Sequence, residues 1–112
     1  MELPPLPPAN STLADWQNYV ARNVKARGWD KASDLEIFLL FSEEVGELAK
    51  ALRRQRGLFV ESGQERAQTR HNLEEELADV LNYLLDLANR LEVDLEQALL
   101  YKENRNRKRF WD

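Results

Sequence analysis

Four times along this chain a capping residue is followed three positions later by a side chain able to reach back to it. These pairs are Thr12-x-x-Asp15, Ser33-x-x-Glu36, Asn72-x-x-Glu75 and Asp94-x-x-Gln97, and each opens a stretch with apolar residues at helical spacing. The first turn of a helix leaves backbone N–H groups without intrahelical partners, and this residue pattern satisfies them. Helix one is therefore expected from about Leu13 to Arg27, with Leu13, Trp16, Val20 and Val24 on one face, broken by Gly28-Trp29-Asp30. Helix two runs from the Ser33 box to Gln55 or Arg56, where Gly57 stops it. Residues 57–70 read as a loop with a short turn. Helix three begins near Asn72, and its positions Leu73, Leu77, Val80, Leu81, Leu84, Leu87, Ala88 and Leu91 cover an arc of ~160°. Helix four carries Leu95, Ala98, Leu99 and Tyr101 and ends in a basic stretch. Ahead of them, Pro4, Pro5, Pro7 and Pro8 favour an extended tail over residues 1–12. The expectation is one all-α, four-helix domain over residues 13–112.

Within these helices, two carboxylate clusters stand where apolar residues would be expected. They are Glu43-Glu44-Val45-Gly46-Glu47 on helix two and Glu76-Leu77-Ala78-Asp79 on helix three. At ~100° per residue, Glu44 falls within roughly 60° of Ile37, Leu40, Phe41, Leu48, Ala51 and Leu52, near the centre of an apolar stripe. An isolated buried carboxylate costs several kcal/mol unless it is paired, hydrogen-bonded or bound to metal. Glu47 lies one turn beyond Glu44, and Glu76 and Asp79 repeat that spacing. If the two helices face each other, four carboxylates converge. At ~5 Å and an effective dielectric of ~20, each pair of charges repels by about 3 kcal/mol. Such a cluster calls for a divalent cation, and all-oxygen ligands point to Mg²⁺ or Mn²⁺.

Composition narrows the alternatives. A net charge of −4 argues against binding nucleic acid through a general basic surface. No apolar run reaches the ~20 residues of a membrane span, so no membrane partner is expected. The start, Met1-Glu2-Leu3-Pro4-Pro5, has neither the basic nor the apolar region of a signal peptide, which makes the cytoplasm the expected compartment. With no cysteine, disulfides, thiolate catalysis and Cys-based zinc sites are removed. A di-iron carboxylate bundle needs Glu-x-x-His pairs, which the single histidine, His71, cannot supply. A non-enzymatic helical interaction module remains as a rival reading; it predicts no metal dependence.

At these residues the chain strongly resembles the MazG-like nucleotide pyrophosphohydrolases of the all-α NTP pyrophosphatase superfamily. The signature Glu-Glu-x-x-Glu followed downstream by Glu-x-x-Asp reads here Glu43-Glu44-Val45-Gly46-Glu47 and Glu76-Leu77-Ala78-Asp79. The flanks Leu48-Ala49-Lys50-Ala51-Leu52 and Val80-Leu81-Asn82-Tyr83-Leu84-Leu85 agree, as does Val93-Asp94-Leu95-Glu96-Gln97-Ala98-Leu99. The ending Lys102-x-x-x-Asn106-x-x-Arg109-Phe110 matches the family's basic terminus. The resemblance implies hydrolysis of nucleoside triphosphates between the α and β phosphates, giving a monophosphate and pyrophosphate. It implies Glu44, Glu47, Glu76 and Asp79 as metal ligands. Glu43 beside them has three open readings: a ligand to a second metal, the group that positions and deprotonates the attacking water, or an exposed helix glutamate. Lys102, Asn106 and Arg109 would reach phosphate, Trp29 would stack on a base, and Tyr83 would line the pocket. The related phosphoribosyl-ATP pyrophosphohydrolases share this carboxylate logic, but the flanking sequence is nearer the MazG-like branch. Relatives preferring deoxycytidine nucleotides carry further histidine and tryptophan positions around the first two helices, which have no evident counterparts here.

Several residues admit blander readings beside these. Lys102, Arg105, Arg107, Lys108 and Arg109 sit where cations offset the negative end of a helix dipole, and Arg53, Arg54 and Arg56 do the same at the end of helix two. Trp29 is equally suited to anchoring the break between helices one and two. Helix two also carries a second apolar face, Phe38, Val45 and Ala49, beyond the Ile37/Leu40/Leu48 stripe. Four helices of this size cannot cover both, so a homodimer or homotetramer is expected.

Overall fold

The computed structural model describes residues 1–59 and 69–109, and for 69–71 the backbone alone. Among the described residues the regular structure is entirely helical: α1 Leu13–Ala26, a 3₁₀ turn Trp29–Lys31, α2 Asp34–Gln55, α3 Thr69–Arg90 and α4 Leu95–Asn106. No helix among them is long and apolar enough to cross a membrane. The all-α, four-helix expectation is met. Two compact units can be distinguished, Met1–Asp34 with Leu85–Asp112, and Leu35–Leu84.

The helix limits follow from local chemistry. Thr12 accepts from the Asp15 N–H while the Asp15 carboxylate accepts from the Thr12 N–H, both at 3.0 Å, so the box expected at α1 is closed reciprocally. The Asp94 carboxylate accepts from the Gln97 N–H at 3.1 Å and opens α4. α2 ends on Gly57 at φ 69°, with the Leu58 N–H donating to the Arg53 carbonyl and the Gly57 N–H to the Arg54 carbonyl. That pairing of 6→1 and 5→2 bonds is the Schellman closure, which requires a left-handed residue and so favours glycine. Arg53 adds to it by donating to the carbonyls of Leu58 and Phe59. The same closure ends α3, with Val93 donating to Ala88 and Glu92 to Asn89, but there the left-handed position at φ 57° is held by Glu92.

In the first unit α1 packs on α4 and on the 3₁₀ turn. Its core is Val20, Val24 and Leu85, with Leu13, Tyr19 and Leu95 against it. Gln17 is buried with them. Its side-chain amide donates to the Val93 carbonyl at 2.6 Å and accepts from the Leu95 N–H at 3.0 Å, joining α1 to the turn before α4. Trp16, expected on this face, is instead 39% exposed and meets Tyr19 edge-on with ring centroids 5.7 Å apart. The inward register is 13, 17, 20, 24: an amide with two backbone partners occupies the place expected of the indole.

α3 begins at Thr69, three residues before the expected start, so Asn72 lies inside the helix and does not cap it. Thr69-Arg70-His71 contains no glycine or proline, and the helix extends back through it. The loop expected at 57–70 lies mostly outside the described residues, as do the His71 side chain and Phe110.

Candidate metal centre

The second unit holds the carboxylates. On α2, Ile37 and Ala51 are buried and Glu44 lies seven residues from each, so it shares their inward direction and is itself half-buried. On α3, Glu76 is half-buried and Asp79, one turn on, is exposed. One oxygen from each of Glu44, Glu76 and Asp79 falls within 4.8 Å of the other two. Three of the four expected ligands thus come together. Glu47 stands outside this group, exposed one turn beyond Glu44, yet near enough for its charge to act on it. Glu43 is exposed on α2.

The protonation behaviour reports the crowding. The Glu44 carboxyl is held above its ordinary value of 4.5, first because burial disfavours its charge. The negative charge of Asp79 adds to this, followed by a hydrogen bond with Glu76, the Glu76 charge and that of Glu47. Every one of these influences penalises the anion.

Do these residues fit a divalent cation? The donors are all carboxylate oxygens, the ligand type that hard cations take. Glu76 Oε2 is buried and has no hydrogen-bond partner among the described residues. A carboxylate oxygen withdrawn from water and left without a donor is costly unless a cation meets it. The set fits Mg²⁺ or Mn²⁺.

The remaining expected site residues are distributed between the two units. Tyr83 is half-buried on α3, seven residues beyond Glu76 and four beyond Asp79, hence on their side of the helix. Trp29 belongs to the first unit, in the 3₁₀ turn, 53% exposed, with the Arg27 guanidinium 4.9 Å from its ring centroid. Lys102 is exposed on α4. Asn106, the last residue of α4, is half-buried and donates to Glu103 Oε1 at 3.1 Å. Arg109 is exposed just beyond, its backbone N–H donating to the Asn106 carbonyl.

Two groups of polar residues are not singled out by the sequence pattern, although spacing signals exist for both. Lys50, Arg54 and Asn72 line one small cavity with Glu47, Ala51 and Glu76. By pattern Asn72 reads as a cap and Arg54 as a dipole cation; the i, i+3, i+7 spacing of Glu47, Lys50 and Arg54 is the signal that groups them. In the first unit, Arg90 pairs with Asp86 at 3.0 Å, an i, i+4 acid–base pair visible in the sequence, and also donates to the carbonyls of Trp29 and Ala32.

Residues 33–110 match the model of the MazG nucleotide pyrophosphohydrolase domain. Bovine dCTP pyrophosphatase 1 (Bos taurus) is 38% identical over 104 residues, covering 88% of this chain and 59% of that protein. The human protein of the same name (Homo sapiens) also shows 38% identity over 104 residues, with the same coverage. The uncharacterized protein YpjD of Bacillus subtilis is 31% identical over 106 residues, 92% of this chain and 93% of that protein. The chain therefore spans 59% of the length of the dCTP pyrophosphatases it matches.

Proposed function

The chain belongs to the MazG nucleotide pyrophosphohydrolase family, and from that premise we propose that it hydrolyses nucleoside or deoxynucleoside triphosphates at the α–β phosphate bond in a Mg²⁺-dependent reaction. The observation that carries this is the convergence of Glu44, Glu76 and Asp79 within 4.8 Å, with a buried oxygen of Glu76 left without a partner. Glu44, Glu47, Glu76 and Asp79 are the proposed ligands. Bound there, a divalent cation would offset phosphate charge and lower the pKa of a water molecule.

The chain's own residues supply the rest. Glu43, exposed beside the ligands, orients the attacking water and takes its proton. Water adds to the α-phosphorus, the bond to the bridging oxygen breaks, and pyrophosphate leaves with that oxygen. Lys102, Asn106 and Arg109 are assigned to phosphate oxygens, Tyr83 to the pocket wall and Trp29 to the face of the base. The names of the mammalian relatives make dCTP the first substrate to test, within a panel of canonical and modified nucleotides. Clearance of surplus or damaged nucleotides is the proposed role. The working form is a homodimer or homotetramer.

Hydrolysis in ¹⁸O-labelled water tests the chemistry. Label is expected in the nucleoside monophosphate, with pyrophosphate unlabelled and activity abolished by chelator. Label in pyrophosphate would place attack at the β-phosphorus, and full activity in excess chelator would remove the metal from the account. Amide substitution at Glu44, Glu47, Glu76 or Asp79 is expected to weaken Mg²⁺ binding and turnover together. Glu43→Gln is expected to spare metal affinity and lower kcat by roughly 10²–10⁴.

A further inference from the structure

The described residues contain two buried side-chain polar atoms without a partner, Arg54 Nε and Glu76 Oε2. Both belong to residues lining the same cavity of about 60 Å³, with Glu47, Lys50, Ala51 and Asn72. One orphan is a donor carrying positive charge and the other an acceptor carrying negative charge. The two residues line one cavity, and their orphan atoms do not bond each other. A ligand that presents an anion to the first and a cation to the second satisfies both, and a phosphate group accompanied by a divalent metal ion is such a ligand.

The helices build this lining from the ordinary geometry of their faces. Glu47, Lys50, Ala51 and Arg54 follow the i, i+3, i+4, i+7 pattern, so α2 offers one face that changes from acidic to basic over two turns. Across from them on α3, Asn72 and Glu76 are one turn apart, and Asn72 brings an uncharged amide able to donate. Glu76 is shared with the three-carboxylate group, so the cavity opens beside the candidate metal centre. The guanidinium matches a phosphate through two adjacent N–H donors, and Lys50 adds a compact charge. The available space exceeds that of a single water, which suits a tetrahedral oxyanion.

We propose that Arg54, with Lys50 and Asn72, forms an oxyanion subsite that holds a phosphate group of the substrate and of the pyrophosphate product next to the metal centre. The identity of the anion rests on the function proposed above; the subsite itself rests on the cavity and on the orphan atoms carried by two of its lining residues. Because Glu47 and Glu76 repel an anion in the same cavity, affinity for pyrophosphate rises when Mg²⁺ is present.

Titration calorimetry of the full chain with inorganic pyrophosphate, with and without Mg²⁺, tests this. Arg54→Leu is expected to weaken pyrophosphate binding by about tenfold or more, since a charge-assisted donor is lost. Arg54→Lys is expected to weaken it less, and Lys50→Gln by a few-fold, while Mg²⁺ alone still raises the Tm of each variant. Lys50 is exposed, so its substitution leaves folding intact and carries the test if Arg54→Leu does not fold. Unchanged pyrophosphate affinity in the variants, or no pyrophosphate binding to the unmodified chain, overturns the proposal. A lowered Tm with unchanged affinity does the same, since Arg54 would then be structural. If Mg²⁺ fails to bind while pyrophosphate binding still depends on Arg54, the metal-dependent reaction fails and the subsite stands. Magnesium-dependent hydrolysis with pyrophosphate affinity indifferent to Arg54 and Lys50 overturns the subsite and leaves the reaction standing.

Discussion

Glu44 shows how one side chain can set the pH response of a fold. Its carboxyl is raised above 4.5 by burial and by Asp79, Glu76 and Glu47, so between that ordinary value and the raised one the folded state holds a proton that the unfolded state has lost. Stability from this group is full below pH 4.5 and is lost as pH rises through the raised value. Denaturant unfolding in chelator is therefore expected to show stability falling over this window, and Glu44→Gln is expected to flatten the fall. Added Mg²⁺ opposes it, because metal binding to the folded state strengthens as the competing proton leaves. A metal-free profile with the same slope in Glu44→Gln would show that the burden lies on other carboxylates. Glu92 makes a separate case. It holds φ 57° at the end of α3, a conformation that strains a residue with a Cβ. Glycine loses that strain but gains freedom in the unfolded chain. Glu92→Gly is expected to raise stability by about 0.5–1 kcal/mol, read as a higher urea midpoint at constant m.

The connector between α1 and α2 is fixed by one arginine on α3. Arg90 donates through Nε to Asp86, at 3.0 Å, through one terminal nitrogen to the Ala32 carbonyl and through the other to the Trp29 carbonyl at 2.9 Å. Its three nitrogens therefore bridge a buried carboxylate and two backbone oxygens 58 and 61 residues away in sequence. Arg90→Leu is expected to cost about 2–3 kcal/mol, since it strips charged hydrogen bonds and leaves Asp86 uncompensated. Proteolysis should then speed up around residues 28–33. Adding Asp86→Leu is expected to recover part of the stability, and strict additivity of the two losses would show that they are not coupled. These elements also show what a sequence can reveal. The caps at Thr12 and Asp94 and the stops at Gly28 and Gly57 involve residues within six positions of one another, and they are legible. Asn72 misleads because a residue able to cap also tolerates a place inside a helix. The burial of Gln17 is hidden because its partners, Val93 and Leu95, lie 76 and 78 residues away. Glu44, Glu76 and Asp79 are legible because ionisable groups break an apolar pattern. Arg54 and Lys50 break none, standing at a helix end where basic residues are ordinary.

At the scale of the whole molecule, the question is what covers the apolar surface that one chain leaves open. In the Leu35–Leu84 unit, Leu35, Phe38, Leu39 and Val45 on α2 and Leu77 and Leu81 on α3 are all exposed. Phe38 and Val45 belong to the face that the helical pattern assigns to surplus apolar surface, and at 49% and 43% exposure they remain uncovered in the single chain. Scattered exposed leucines are ordinary on a protein surface, whereas a cluster of exposed apolar side chains favours association. A self-complementary patch closes most simply about a two-fold axis, so a second copy is the proposed cover. Sedimentation of the unmodified chain is expected to give a dimer or tetramer, with a Tm that rises with protein concentration as mass action requires. Val45→Glu places a charge within that patch and is expected to yield monomer or loss of structure. Ala49→Glu, on the same face one turn further along α2, is expected to do the same. Leu99→Glu serves as the control, since Leu99 is exposed on α4 in the other unit. If oligomers persist in Val45→Glu and Ala49→Glu but dissociate in Leu99→Glu, the contact lies on α4 instead. A well-folded, active monomer of the unmodified chain at all concentrations would mean that solvent, not a second copy, covers this face.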